Sequence, residues 1–179
     1  GLFATVGGDS TITVGDVTSA FSGITVTSGT GSIDLTSGDV TANGSTAVSL
    51  STAGAITYLG GDLSTQSDNS IALDVNGGAG AIDVTVGNVS TQGLNSTGID
   101  ITGTGSIAIA AGDVSTAAPI TDAVNLSGGT ITGTLGDKQV GQTVRLPVTT
   151  ATNDAPADPA AQPQGLQAVP TPGACSILS

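Results

Sequence analysis

The fold is decided by the stretch SIAIAAGDVST, which runs from Ser106 to Thr116. Two near-copies precede it, SIDLTSGDVTA at Ser32–Ala42 and AIDVTVGNVST at Ala81–Thr91. In each copy, aliphatic residues two positions apart are followed by a Gly-Asp or Gly-Asn pair and then by Val with Ser or Thr. Alternation with a period of two is typical of a strand with one buried face and one polar face. Each copy therefore predicts a strand, a sharp corner and a second strand.

The Gly-Asp corner recurs along most of the chain at a nearly constant interval. Its six copies are separated by 23, 23, 26, 25 and 24 residues. They are Gly15-Asp16, Gly38-Asp39, Gly61-Asp62, Gly87-Asn88, Gly112-Asp113 and Gly136-Asp137. A fixed period of this size is the signature of stacked repeats. The recurring glycine predicts a bend that requires either a positive φ or the absence of a Cβ atom.

Each repeat contains three short segments with apolar residues at alternate positions. The first segments carry Ile12 and Val14, Ile33 and Leu35, Ile56 and Tyr58, Ile82 and Val84, and Ile107 and Ile109. The second segments carry Val17, Val40, Leu63, Val89 and Val114. The third segments carry Ile24 and Val26, Val48 and Leu50, Leu73 and Val75, Ile99 and Ile101, and Val124 and Leu126. Insertions are expected only at the corner between the second and third segments, so that the strands stack in register.

These patterns predict an all-β fold, a parallel β-helix (β-solenoid) of five complete rungs plus a partial sixth, with about 23–26 residues per rung. Residues 1–137 are assigned to the solenoid. Residues 138–179 are assigned to one or two edge strands and an extended tail rich in Pro and Ala. The assigned register places Ile82, Val89 and Ile99 inside, and Asp83, Asn88 and Asp100 on the solvent side.

The composition excludes several classes of function. All 14 acidic residues are Asp, against two basic residues, and the net charge is −12. Nucleic-acid binding depends on Lys and Arg that neutralise phosphates, so no nucleic-acid partner is expected. No apolar stretch reaches the length of a membrane helix, so no membrane insertion is expected. Because the chain has no His and no Glu, and Lys138 and Arg145 lie beyond the repeats, we expect neither catalysis nor a cofactor.

The stacked Asp residues raise the question of calcium. Asp16, Asp39, Asp62 and Asp113 should lie one above another, and hard cations bind through several oxygen ligands. Asn88 interrupts this column. The alternative is that these side chains cap a solvated corner by hydrogen bonding to the backbone. Outward Thr and Ser columns suggest a further hypothesis, an ice-binding surface, although Asp34, Asp74, Asp83 and Asp100 interrupt two of the three columns.

The C-terminal tail carries the remaining candidate residues. Proline cannot donate to a strand ladder, so the tail is expected to run extended along a solenoid flank. Its apolar residues are expected to dock on a neighbouring copy and to assist assembly. These residues are Leu166, Val169, Cys175, Ile177 and Leu178. The single cysteine, Cys175, is read either as an incidental tail thiol or as a partner in an intermolecular disulfide.

The stretch GNVSTQGLNSTGIDITGTGSIAIAAGDVST, at Gly87–Thr116, resembles the passenger repeats of bacterial autotransporter adhesins and filamentous-haemagglutinin-like surface proteins. The resemblance spans roughly Ser10 to Asp137, and it implies a right-handed parallel β-helix at a bacterial cell surface. We therefore expect an extracellular structural protein, a subunit of a surface fibre that polymerises end to end with itself. A surface adhesin module is the first alternative, and an ice-binding β-solenoid is the second.

Overall fold

A computed structural model describes residues 1–117 and 121–137, together with the backbone of strand Val144–Arg145. The described residues form strands only, numbered here in chain order. The strands of the first half are β1 (Leu2–Val6), β2 (Ser10–Thr13), β3 (Val17–Ser19), β4 (Ile24–Ser28), β5 (Ile33–Thr36), β6 (Val40–Ala42), β7 (Val48–Thr52), β8 (Ile56–Leu59) and β9 (Leu63–Thr65). Those of the second half are β10 (Ile71–Gly77), β11 (Ile82–Val86), β12 (Val89–Thr91), β13 (Thr97–Thr102), β14 (Ile107–Ala111), β15 (Val114–Thr116), β16 (Val124–Ser127), β17 (Ile131–Leu135) and β18 (Val144–Arg145).

From β1 to β17 every third strand belongs to the same sheet, β18 joins the sheet of β16, and every pairing is parallel. Sheet one has the order β1-β4-β7-β10-β13-β16-β18, sheet two β2-β5-β8-β11-β14-β17, and sheet three β3-β6-β9-β12-β15. The chain therefore coils through sheets one, two and three in turn and rises by one strand spacing, about 4.8 Å, per rung. This is a parallel β-solenoid of about five turns, so the predicted fold class is confirmed.

The core is a column of small and branched aliphatic side chains from all three sheets. Ile82, Val89 and Ile99 are buried, as predicted, while Asp83 and Asn88 are exposed. Asp100 also lies on the outer face, but it is half-buried there. Since β-branched side chains pack well on a pleated surface, thin layers of Ile and Val fill a narrow core that contains one aromatic ring, Tyr58.

One detail of the sequence-based register is wrong, and the first rung departs from the aliphatic pattern of the others. In that rung, Ile12 pairs with Leu35, and Ser10 pairs with Ile33. The observed register keeps the Gly-Asp corners aligned, because Ser10 precedes Asp16 by the same interval as Ile33 precedes Asp39. Contrary to the prediction, insertions are not confined to one corner, because the connection from sheet one to sheet two varies by one or two residues as well.

A column of small residues lies at the entry to sheet one. The column consists of residues that are all buried and lie just before, or second in, successive strands of this sheet: Gly23, Ala47, Ala72, Gly98 and Ala123. A Cβ atom on Gly23 would meet the Ala47 carbonyl oxygen and the Val40 side chain closer than 3.0 Å. Larger side chains are therefore excluded here by the close approach of one rung to the next.

Candidate functional site

The Gly-Asp corners join sheet two to sheet three and form one column along the solenoid. We call this column the Asx ladder; its members are Asp16, Asp39, Asp62, Asn88, Asp113 and Asp137. All six side chains are exposed. The structure therefore brings together the four sequence-predicted calcium residues, in register and on one edge.

The ladder is held by hydrogen bonds from backbone to side chain. In each step, the Asx backbone N–H of one rung donates to the Oδ1 atom of the rung below. The N···O distances are 3.0 Å from Asp39 to Asp16, 2.9 Å from Asp62 to Asp39, 2.7 Å from Asn88 to Asp62, 3.0 Å from Asp113 to Asn88 and 2.8 Å from Asp137 to Asp113. Because the acceptor is Oδ1, an amide serves as well as a carboxylate, which explains why Asn88 fits the column.

The same hydrogen bonds explain the glycine of each corner. A Cβ atom on Gly38, Gly61 or Gly87 would fall well inside 3.0 Å of the Oδ1 atom of the Asp below, and Gly112 and Gly136 are placed in the same way. None of these glycines has a positive φ. Of the two sequence-based explanations, the absence of a Cβ atom is therefore the correct one.

Calcium removal is expected to have little effect on stability. Below the top rung, one oxygen of each ladder carboxylate already accepts a backbone N–H. Among the residues with described side chains, no group of three or more His, Cys, Asp or Glu could hold a metal ion. We expect a chelator to shift the melting temperature only slightly in a thermal denaturation experiment. A shift of tens of degrees would show instead that the Asx ladder binds metal and that binding contributes to folding.

The outer face of sheet one carries a second acidic pair, Asp74 and Asp100, which lie opposite each other in the β10–β13 pairing. The Ser49 hydroxyl donates to Asp74 at 3.3 Å, and the Asn125 amide donates to Asp100 at 3.1 Å. Burial raises the pKa of Asp74. The pKa of Asp100 is raised by burial first and then by the negative charges of Asp74 and Asp122.

Neutralising Asp100 is expected to stabilise the solenoid at neutral pH. Like charges directly opposite on neighbouring strands are destabilising, and such cross-strand pairs contribute roughly 0.2–1 kcal/mol. The Asp100→Asn variant retains an oxygen acceptor for Asn125 and should raise the melting temperature at pH 7. Because the folded-state pKa of Asp100 lies above its unfolded value of 3.8, the native state binds the proton first and the wild type gains stability as pH falls.

The advantage of Asp100→Asn should therefore shrink as pH falls through that raised pKa and should vanish below about pH 4. Asp83→Asn is the matched control, because Asp83 is exposed on sheet two and lies opposite Thr57 and Ala108, which are uncharged. Equal stabilisation by the two substitutions at pH 7 would contradict the prediction, since it would reflect net charge and not the local pair.

Sequence reasoning missed several polar interactions inside the solenoid. Tyr58 is 1% exposed, and its hydroxyl lies 3.0 Å from the Ser37 hydroxyl. At the corner between sheets three and one, Ser70 bonds to Thr65 at 2.7 Å and to Ser96 at 3.1 Å, all three being buried. The signal for this cluster was the paired segments QSDNS and QGLNS at 66–70 and 92–96. In both, an Asn adopts a positive φ, 55° at Asn69 and 56° at Asn95.

The remaining candidates divide between the outer faces and the tail. The carboxylates of Asp34 and Asp83 are exposed on sheet two, which argues against a flat, uncharged ice-binding face there. The proposed assembly residues Leu166, Val169, Cys175, Ile177 and Leu178 lie outside the described residues, as does most of the tail assigned to 138–179. In the described part of the chain, no helix is long and apolar enough to span a membrane.

The described residues thus define a parallel β-solenoid repeat protein with a hydrogen-bonded Asx ladder along one edge. Comparison of the chain with protein-family models, with curated proteins and with solved structures finds no match.

Proposed function

We propose that the chain is an extracellular structural protein, the β-solenoid subunit of a bacterial surface fibre that polymerises end to end with itself. The observation that carries this proposal is the pair of open strand edges at the two ends of the described solenoid. Natural solenoids cover such edges with caps, because unpaired N–H and C=O groups are a template for pairing with another chain.

The lower end consists of the first rung. Strands β1, β2 and β3 each pair on one side only, with β4, β5 and β6. Their inward residues Leu2, Ile12 and Val17 are half-buried, whereas the residues above them, such as Ile24, Leu35 and Val40, are at most 1% exposed. A second copy stacked below would bury the apolar surface of these inward residues.

The upper end has the complementary edge. Strand β17 pairs only with β14, and its inward residues Ile131 and Leu135 are half-buried. In sheet one the uppermost strand is β18, which pairs with β16. All strands of one sheet run in the same direction, so these upper edges can pair in parallel with the lower edge of a second copy. A contact between two different surfaces of this kind is heterologous, and it generates open filaments when it does not close into a ring.

Electron microscopy of the purified chain, combined with light scattering during assembly, tests the proposal. We expect unbranched fibres about one solenoid wide, which form faster when salt screens the net charge of −12. Assembly should depend on protein concentration and be accelerated by preformed fibre fragments. Monodisperse particles at all concentrations and salt levels would overturn the fibre proposal.

The second candidate is a surface adhesin module, and one observation favours it. A shallow open groove of about 270 Å³ follows the corner between sheets one and two. Its lining residues include the partly or fully exposed polar residues Ser51 and Asn76 and several glycines. Ser28 and Thr52 also line it, but their hydroxyls are buried and donate to the Gly8 and Gly31 carbonyl oxygens. The side chains of Ser51 and Asn76 suit a polar ligand. Binding of a monomeric form to cell-surface carbohydrate, with no fibre formation, would favour the adhesin over the fibre.

A further inference from the structure

The chain contains two Asn-Gly pairs, Asn43-Gly44 and Asn76-Gly77, and the fold holds them differently. Asparagine is one of the thermolabile residue types. A glycine that follows it has no side chain to hinder the approach of its own nitrogen to the asparagine side chain. Asn43 and Asn76 are both exposed, so residue type and exposure do not distinguish the two pairs. Their backbones do.

The first pair lies in the corner between β6 and β7, where the backbone is not held by the neighbouring rungs. The Asn43 N–H donates to the Ser19 carbonyl oxygen at 2.9 Å, and the next backbone group that bonds to another rung is the Thr46 carbonyl oxygen, which accepts from Gly23 at 3.0 Å. The Gly44 N–H has no acceptor among the described residues. This nitrogen is therefore free to turn towards the Asn43 side chain.

The stacking of the rungs itself requires glycine at position 44. A Cβ atom there would lie 2.6 Å from the Ala20 carbonyl oxygen and 3.0 Å from the Phe21 Cα atom of the rung below. The fold thus retains, next to the exposed Asn43, the residue that hinders attack on its side chain least.

The second pair ends strand β10, which is paired on both sides. Asn76 lies opposite Thr102 of β13, and the Gly78 N–H donates to the Thr52 carbonyl oxygen of β7 at 2.9 Å. Because successive N–H groups of a strand point to opposite neighbours, the Gly77 N–H points towards β13. Its nitrogen reaches the Asn76 side chain only when the ladder opens locally.

We propose that Asn43 is a site of spontaneous deamidation in the folded chain and that the sheet protects Asn76 from the same reaction. The Gly44 nitrogen loses its proton to water or hydroxide and attacks the Asn43 Cγ atom. The new C–N bond closes a five-membered succinimide ring, while the Cγ–Nδ2 bond breaks and the amide nitrogen leaves as ammonia. Water then opens the ring at one of its two carbonyl carbons, which yields aspartate or isoaspartate without any oxidant or reductant.

The two products differ in their effect on the corner. Aspartate adds one negative charge at an exposed position. Isoaspartate routes the backbone through the Cγ atom and so lengthens it by one methylene group. The lengthened corner cannot keep both the hydrogen bond to Ser19 and the close contact of Gly44 with Ala20, so the isoaspartate form should be the less stable one.

The test follows both asparagines in the purified full chain during incubation at mildly alkaline pH. An endoproteinase that cleaves before Asp places Asn43 in peptide 39–61 and Asn76 in peptide 74–82. Mass spectrometry of these peptides measures the conversion of amide to acid. In the folded chain, peptide 39–61 should convert at least about tenfold faster than peptide 74–82, because only the latter requires opening of the ladder. In concentrated urea the two rates should converge. Equal rates in the folded chain, or faster conversion at Asn76, would overturn the proposal.

Two variants connect the reaction to stability. Asn43→Asp should keep the wild-type melting temperature, whereas wild-type chain enriched in isoaspartate at position 43 should melt several degrees lower. Asn43→Gln needs a less favourable six-membered ring and should not lose stability during the same incubation. If Asn43→Gln loses as much stability as the wild type, a different site is responsible and the assignment to Asn43 is wrong.

Discussion

Replacing Gly61 with alanine is expected to destabilise the folded monomer by about 1–3 kcal/mol, the usual cost of forcing extra atoms into a well-packed site. The new Cβ atom would lie well inside 3.0 Å of the Asp39 Oδ1 atom and at 3.0 Å from the Asp39 backbone nitrogen. To make room, the Asp39 carboxylate must move away from the Asp62 N–H that it accepts at 2.9 Å. Urea denaturation of the dilute monomer measures the loss.

The bottom rung supplies the matched control for this prediction. Gly15→Ala places the same methyl group at the same corner, where no atom of the described chain lies within 4 Å. Its monomer should be as stable as the wild type, or slightly more stable, because alanine lowers the entropy of the unfolded chain. If Gly15→Ala and Gly61→Ala lose the same stability, the corner requires glycine for its backbone conformation. It would then not require glycine to make room for the Asx side chain of the rung below.

A double-mutant cycle identifies the atom responsible. Asp39→Ala removes the carboxylate that the Gly61 methyl group would meet, at the cost of the ladder hydrogen bond to the exposed Asp62 N–H. The double variant Asp39→Ala/Gly61→Ala should therefore lose less stability than the two single variants lose in total. Additive losses would show that the Asp39 side chain is not the obstacle, and that backbone contacts alone exclude a Cβ atom.

The repeat pattern was sufficient to predict the coil, and the reason is geometric. Side chains alternate on a strand with a period of two, so Ile82 and Val84 face the same side wherever the strand occurs. The column of Gly-Asp pairs then requires that successive copies lie above one another. In the first rung the aliphatic residues Ile12 and Val14 lie closer to the corner than Ile33 and Leu35 do. There the interval between strand and corner sets the register, so Ser10 pairs with Ile33.

The chemistry of the ladder was less predictable than its position. A column of Asp residues indicates either a metal site or backbone capping, and the sequence does not show which atom each oxygen faces. Three-dimensional placement shows that the Asp16 Oδ1 atom faces the Asp39 N–H. In the same way, alternation predicted an inward Tyr58, but its partner Ser37 comes from the neighbouring rung, 21 residues earlier in the chain. No local sequence pattern indicates a side-chain hydrogen bond between two rungs.

Alkaline pH is expected to destabilise the solenoid through Tyr58. Burial raises the pKa of the Tyr58 hydroxyl to about 12, and the hydrogen bond with Ser37 offsets part of this increase. In the unfolded chain the tyrosine pKa is about 10. Because the folded-state value is the higher one, the stability is fully present below pH 10 and falls as pH rises from about 10 to 12. The expected loss is roughly 2 kcal/mol by pH 12.

Tyr58 is the single tyrosine, and Lys138 is the single lysine, so few other groups titrate in this range. Tyrosinate absorbance should therefore show a native transition near pH 12 and a transition near pH 10 in urea. Tyr58→Phe keeps the ring and removes the ionisable group. Since Ser37 still donates to the Gly38 carbonyl oxygen at 3.0 Å, this variant should lose only about 1 kcal/mol at neutral pH and should no longer weaken between pH 10 and 12.

Tyr58→Ala separates packing from ionisation. It removes the largest fully buried side chain of the described core, and we expect a loss of about 3–5 kcal/mol at pH 7, the range for truncation of a buried aromatic residue. Its remaining stability should also be independent of pH between 10 and 12, like that of Tyr58→Phe. A wild-type chain that titrates near pH 10 in the folded state would place the Tyr58 hydroxyl in contact with solvent. It would contradict the inward position of this side chain, on which both the alkaline loss and the packing loss depend.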